Sequence, residues 1–195
     1  MTPWLLVDYG GVISRPFDER AYDALAALLD VDVTRLRTAY WRHRRAYDGG
    51  EPAVDYWSRV AGRRVSEAAA EPLGAVDVAG WSRVDPSVLD LLEEQRRTGV
   101  RLALLSNAPF LQADAYERAT WAPLFEHLLV SSRLGLTKPD PAIFARALDV
   151  LGGRPDEVTF VDDRPENTDA AALLGIHTIP YVGAEDLRRR LLSRA

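Results

Sequence analysis

The sequence predicts a doubly wound α/β fold, a parallel sheet with helices on both faces, carrying a helical insertion after the first strand. Three observations support this. Short apolar runs recur along the C-terminal half, each too short and too apolar for an amphipathic helix. Helical patterns with proper ends separate them, the rhythm of βαβ units. Between the first apolar run and the second, residues 15–84 show helical periodicity and no convincing strand.

Trp4-Leu5-Leu6-Val7 is the first run, and it ends directly in Asp8, with Gly10-Gly11 close behind. That is the profile of a buried strand ending in a carboxylate before a sharp turn. "ERAYDALAALLD" then places Tyr22, Leu25, Ala26 and Leu29 on one helical face. "VTRLRTAYWRHRRAYDGG" and "PAVDYWSRVAGRR" also read as helices, punctuated by Gly49-Gly50 and Gly62. The alternation resumes near Asp85. In "DPSVLDLLEEQRRTG", Asp85 is placed as N-cap, Pro86 takes the first helical position, Val88, Leu91 and Leu92 form the apolar face, and Gly99 is the stop. "VRLALLSN" (100–107) and "EHLLVSS" (126–132) are the second and third candidate strands. "DPAIFARALDVLGG" repeats the helix design with Asp140, Pro141 and a stop at Gly152. "EVTFVDD" (157–163) and "GIHTIPYV" (175–182) are the fourth and fifth strands, with "NTDAAALLG" as the helix between them. Runs such as "LALL" do not alternate, which fits strands buried on both faces. The expected organisation is an α/β core over 1–14 and 85–195 and a helical unit over 15–84.

Composition narrows the classes of function. A net charge of −5 gives no reason to expect nucleic acid or an anionic membrane as partner. The absence of cysteine excludes disulfides and thiolate metal sites, and fits a reducing cytoplasm. No basic segment leads into a long apolar run at the N-terminus, and no stretch approaches the roughly 18 apolar residues of a membrane span, so a cytoplasmic protein is expected.

In an open parallel sheet, ligands bind beyond the carboxyl ends of the strands. Asp8 follows the first run, Ser106 and Asn107 close the second, Asp162 and Asp163 close the fourth, and Lys138 lies in "GLTKPDP" after the third. A carboxylate, a hydroxyl, a lysine and two further carboxylates on one edge suit phosphoryl transfer. A carboxylate attacks phosphorus, lysine and hydroxyl hold phosphoryl oxygens, and paired acids hold Mg²⁺ through hard oxygen ligands. Two adjacent acids at a strand end are costly to bury without a cation or donors.

These residues resemble the haloacid dehalogenase (HAD) superfamily. Its four motifs occur in order as "LLVDYGGVI", "LALLSNAP", "GLTKPDPAIF" and "VTFVDDRPENTDAA", and residues 15–84 fall where that family carries a helical cap. The resemblance implies a hydrolase in which Asp8 is the nucleophile that forms an aspartyl-phosphate. It implies that Ser106 binds the phosphoryl group with the Asn107 backbone N–H, and that Lys138 holds nucleophile and phosphate together. Asp163, assisted by Asp162, would bind Mg²⁺ alongside Asp8 and the Gly10 carbonyl. Asn167 falls where many relatives have a further acid. The implied substrate is a small phosphorylated molecule, with neither nucleic acid nor membrane involved.

One position departs from the pattern. Family phosphatases usually carry a second aspartate two residues after the nucleophile, which protonates the leaving alcohol and then activates water; here that position is Gly10. Such acid–base help is worth ~10²–10⁴ in rate. Four consequences stay open: a slow phosphatase or one confined to good leaving groups such as acyl phosphates; a proton supplied by the helical unit, with Glu51, Asp55 and His43 as candidates; a phosphate-binding or protein-interaction domain with little turnover; or a metal-independent 2-haloacid dehalogenase, against which the Asp162-Asp163 pair argues.

The basic stretch "WRHRRAY" carries two readings, a solvated helix face with Trp41 and Tyr47 turned inward, or Arg42, Arg44 or Arg45 facing the core to meet an anionic substrate. Tyr56 and Trp57 read as core or as pocket lining. His127 and His177 fall within or beside strands, as packing or surface residues.

Overall fold

The computed structural model describes residues 3–193. In chain order the elements are β1 (Trp4–Val7), α1 (Glu19–Leu29), α2 (Val33–Asp48), α3 (Ala53–Ala61), α4 (Glu67–Gly80), α5 (Pro86–Arg97), β2 (Arg101–Ser106), α6 (Phe110–Glu117), β3 (His127–Val130), α7 (Ser131–Leu134), α8 (Pro141–Leu151), β4 (Val158–Asp162), α9 (Pro165–Ala172), β5 (His177–Pro180) and α10 (Ala184–Leu192). All strand pairs are parallel, in the order β3-β2-β1-β4-β5. Each strand lies inside one of the apolar runs read from the sequence.

The strands lack polar alternation because both faces are covered. Leu5, Val7, Leu102, Leu104 and Val161 enter one buried cluster with Val88, Leu91 and Leu92 of α5. Trp4, Leu6, Ala103, Leu105 and Phe160 enter another with Ile143, Phe144 and Ala147 of α8. The period of two therefore separates two apolar sets rather than apolar from polar. Asp85 and Asp140 cap α5 and α8 as expected, accepting from Ser87 N–H at 3.0 Å and Ala142 N–H at 2.9 Å.

Helices α1–α4 pack around a third buried cluster, which includes Tyr22, Leu25, Leu36, Tyr40, Tyr56, Trp57 and Leu73. Tyr47 and Tyr56 stack with ring centroids 4.1 Å apart. A buried polar group lies beside these rings: the Arg44 guanidinium pairs with Asp48 through Nε at 2.7 Å and with Asp77 through Nη1 at 2.9 Å. Tyr40 donates its hydroxyl to Asp77 at 2.6 Å.

The sequence reading named no helix over 67–80, 110–117 or 184–192, where α4, α6 and α10 stand. One of the two readings of "WRHRRAY" turns Trp41 inward; the residue is instead 48% exposed, and its indole N–H donates to the Tyr22 hydroxyl at 2.9 Å. Tyr47 is buried as expected. Among the described residues, no helix is long and apolar enough to cross a membrane.

Candidate active site

β1 and β4 are neighbours, but the chain leaves β1 toward β2 on one side and leaves β4 toward β5 on the other. The crevice at such a switch point is where open α/β sheets hold ligands. Asp8 stands directly beyond β1, tied to β4 by its N–H donating to Val161 C=O at 2.9 Å. Asp162 ends β4, Asp163 follows it, and Ser106 ends β2.

Lys138, in the loop between α7 and α8, reaches into this edge and is only 3% exposed. Its ammonium donates to Asp162 Oδ2 at 2.6 Å and to the Leu105 carbonyl at 2.9 Å, and it forms an ion pair with Asp8 Oδ1 at 2.8 Å. Asn107 holds the same loop by a reciprocal pair: Lys138 N–H donates to its Oδ1 at 2.8 Å, and its Nδ2 donates to Lys138 C=O at 2.9 Å. Asn107 thus clamps the lysine loop with its side chain. Ser106 Oγ is 3.3 Å from the Tyr116 hydroxyl.

Asp8 Oδ1 also accepts from Tyr9 N–H at 2.7 Å, whereas Oδ2 has no partner among the described residues. Asp162 is the opposite case. Oδ1 accepts from Arg164 N–H and from Asn167 Nδ2, each at 2.9 Å, and Oδ2 accepts from Lys138 and from Asn167 Nδ2 at 3.0 Å. Those contacts occupy the roughly four lone-pair positions of a carboxylate, so Asp162 is committed to holding Lys138 and Asn167. Asn167, where a further acid was the family expectation, serves as a donor to it.

One oxygen each from Asp8, Asp162 and Asp163 lies within 4.8 Å of the others. Burial pushes the Asp8 carboxyl up, opposed by Lys138 and reinforced by Asp162; burial and Asp162 likewise raise Asp163. Burial pulls Lys138 down, but Asp8 and Asp162 outweigh it and its shift is upward. Three carboxyl groups thus share one ammonium. A hard divalent cation fits beside Asp8 and Asp163: the donors are oxygens, and added positive charge favours the ionised carboxylates.

The two glycines after Asp8 differ. Gly11 has φ +76°, and a β-carbon there would lie 2.4 Å from Asp163 Oδ2. Gly10 is under no such constraint; a β-carbon there would meet the Trp81 ring at 3.4 Å, ordinary contact.

A cleft of 630 Å³ opens above this edge, with Asp8, Gly10, Ser106, Asn107, Lys138 and Asp163 among its lining. From the helical side, Trp41, Arg44, Arg45, Asp48 and Trp81 line it, and α6 adds Gln112 and Tyr116. Glu51, Asp55 and His43, the expected proton sources, do not line it. Glu51 pairs with Arg59, and His43 lines a separate concavity with Arg42 and Arg59. Tyr56 and Trp57 are buried among the helices, and His127 and His177 begin their strands at the opposite end of the sheet. Asp48 was missed because a lone aspartate at a helix end carries no motif; its signal is burial beside Arg44, which appears only when α2 and α4 pack.

A model of haloacid dehalogenase-like hydrolases matches residues 5–175. The phosphoserine phosphatase of Thermus thermophilus is 38% identical over 96 residues, 48% of this chain and 39% of that protein. The (S)-2-haloacid dehalogenase 4A of Burkholderia cepacia is 32% identical over 48% of this chain and 41% of its own. The matches span less than half of either curated relative. A HAD family enzyme of Bacteroides thetaiotaomicron superposes with a TM-score of 0.75 at 23% identity, covering 97% of this chain and 98% of that one, and it has also been solved in complex with magnesium and inorganic phosphate. With the family model spanning the first four strands, the helical segment and all four strand-end motifs, the chain belongs to the haloacid dehalogenase-like hydrolases.

Proposed function

We propose that this hydrolase is a magnesium-dependent phosphatase of small phosphorylated molecules that works through an aspartyl-phosphate on Asp8. The observation that carries the reading is the state of the Asp8 carboxyl. Oδ1 is locked by Tyr9 N–H and Lys138, which leaves Oδ2 as the unpartnered, oriented nucleophile. Asp8, Asp163 and the Gly10 carbonyl would hold the metal, with Asp162 steering Lys138 from behind. Bound there, Mg²⁺ supplies positive charge to the phosphoryl oxygens and favours the ionised nucleophile. Lys138 keeps Asp8 in place and offsets phosphoryl charge, Ser106 Oγ donates to a phosphoryl oxygen, and Asn107 fixes the lysine loop. Residues 15–84 act as a cap over the core of 1–14 and 85–195, and a 630 Å³ cleft suits a small substrate. The magnesium–phosphate complex of the Bacteroides enzyme and the phosphatase relative of Thermus support the choice of chemistry.

The test is turnover of p-nitrophenyl phosphate by wild type and Asp8→Asn, with Mg²⁺ and with chelator. Mg²⁺-dependent turnover that falls on the order of 10³-fold or more in Asp8→Asn is expected. Equal turnover by the two proteins, or release of halide from a 2-haloacid without metal, sinks the phosphatase reading.

A further inference from the structure

Gly10 leaves the proposed reaction without an acid on the strand side of the cleft. We propose that Asp48 replaces it, as the general acid that protonates the leaving oxygen and the general base that then activates water; this rests on the phosphatase reading above.

Two acidic side chains of α1–α4 line the cleft, Glu19 and Asp48. Glu19 is exposed and tied to Arg37. Asp48 is buried, with its side chain keeping 10% exposure. Its position relative to the phosphate-binding loop is fixed by Ser131. The Ser131 hydroxyl donates to the Asp48 carbonyl at 2.5 Å and accepts from Ala108 N–H at 2.9 Å, two residues beyond Ser106. The Asp48 main chain is thus two hydrogen bonds from the loop that carries Ser106. Asp48 Oδ1 accepts from Arg44 Nε at 2.7 Å, and Oδ2 has no partner among the described residues.

The charges around Asp48 leave room for a proton. Arg44, on the same helix, is shared with Asp77 of α4, so one guanidinium serves two buried carboxyls. Burial raises the Asp48 carboxyl, Arg44 pulls it down, Asp77 pushes it up and Lys138 pulls it down; the balance is a rise to about 6. That is near the range where a carboxyl exchanges protons at neutral pH.

The chemistry balances without another reactant. As Asp8 Oδ2 bonds to phosphorus and the P–O bond to the leaving group breaks, the Asp48 proton passes to the departing oxygen, giving the alcohol and an Asp48 carboxylate. As water then attacks the aspartyl-phosphate, its proton passes to Asp48, which restores the acid and releases phosphate from Asp8.

Two near-isosteric probes separate acid catalysis from fit: p-nitrophenyl phosphate, with an acidic leaving phenol, and phenyl phosphate, which needs a proton. Asp48→Asn should lower kcat/KM for phenyl phosphate by ~10²–10³-fold and for p-nitrophenyl phosphate by less than about tenfold. With its base gone, it should also release a burst of nitrophenolate equal to the enzyme, as the aspartyl-phosphate accumulates. Should Asp48→Asn not fold, wild type gives the same answer. Its kcat/KM for phenyl phosphate should fall as pH rises through the Asp48 range, with no matching limb for p-nitrophenyl phosphate. Equal losses on the two substrates, identical wild-type pH profiles, or a wild type that hydrolyses p-nitrophenyl phosphate and not phenyl phosphate overturns the assignment. Asp8→Asn keeps the two ideas apart: if it is inactive while Asp48→Asn matches wild type on phenyl phosphate, only Asp48 is misassigned, and if it stays active, the aspartyl-phosphate reading itself fails.

Discussion

Gly11 holds φ +76° with the Asp163 carboxylate against its α-carbon, so an alanine there meets two penalties. The left-handed backbone costs roughly 1–2 kcal/mol, and the β-carbon takes the space of Asp163 Oδ2. Gly11→Ala is therefore expected to lose about 1–2 kcal/mol of stability and to weaken Mg²⁺ binding about 10–100-fold. Gly10→Ala, which meets only the Trp81 ring at van der Waals distance, should stay within about 1 kcal/mol of wild type. Urea denaturation and Mg²⁺ titration of both variants check this, and equal damage from the two would show that the glycines are not distinct. The sequence presents them as identical neighbours, and only the fold separates the one that Asp163 needs from the one that merely lacks an acid. Asp8, Ser106 and Asp163 were legible because each stands at the end of an apolar run, and Lys138 only through the family motif that carries it. The tie of Asp162 to Lys138 and Asn167 was not, since adjacent acids at a strand end read alike until their partners are placed.

Helix α4 shows where periodicity stops being informative. Its buried residues are Ala70, Leu73, Gly74, Asp77 and Gly80, so the packed face is made of small or charged side chains rather than an apolar stripe. Close approach is the reason: a β-carbon at Gly80 would lie 2.3 Å from Phe17, and one at Gly74 would lie 2.4 Å from Leu111 of α6. Pro72 sits inside the helix and is exposed, so it lacks the N–H that would bond the Ala68 carbonyl and gains no packing in return. Pro72→Ala is expected to raise stability by about 1–3 kcal/mol, the interior-helix penalty less the entropy that alanine returns to the unfolded chain. Thermal melts of the folded variant measure it, and a lowered midpoint would mean that the backbone Pro72 imposes is needed for the packing of α4 against α1. By contrast, α5 and α8 were readable end to end because an aspartate cap, a proline at the first position and an apolar face coincide in each.

At the scale of the molecule, three buried clusters leave one cleft where the sheet edge meets the helical segment. The floor was legible, since strand ends and topology together set it. The roof was not, because which of Trp41, Arg44, Asp48 and Trp81 reach the cleft depends on how α2 and α4 cross, and no local pattern encodes that. The buried ionic group in that roof makes a prediction about the whole fold. Asp48 rises in the native state from its ordinary 3.8 to about 6, burial outweighing the Arg44 pair. Between those values the native protein keeps a proton that the unfolded chain has lost, so on this account stability falls as pH rises through the window. The contribution is fully present near pH 4 and gone above the native value. Asp48→Asn cannot titrate, so the stability of wild type minus that of the variant should decline from about pH 4 to about pH 6 and then level off. Urea unfolding of both proteins across this range measures the difference directly. A flat difference, or one that grows with pH, would mean that Arg44 holds Asp48 ionised throughout, and with it the proton proposed for the leaving group would have no source at Asp48.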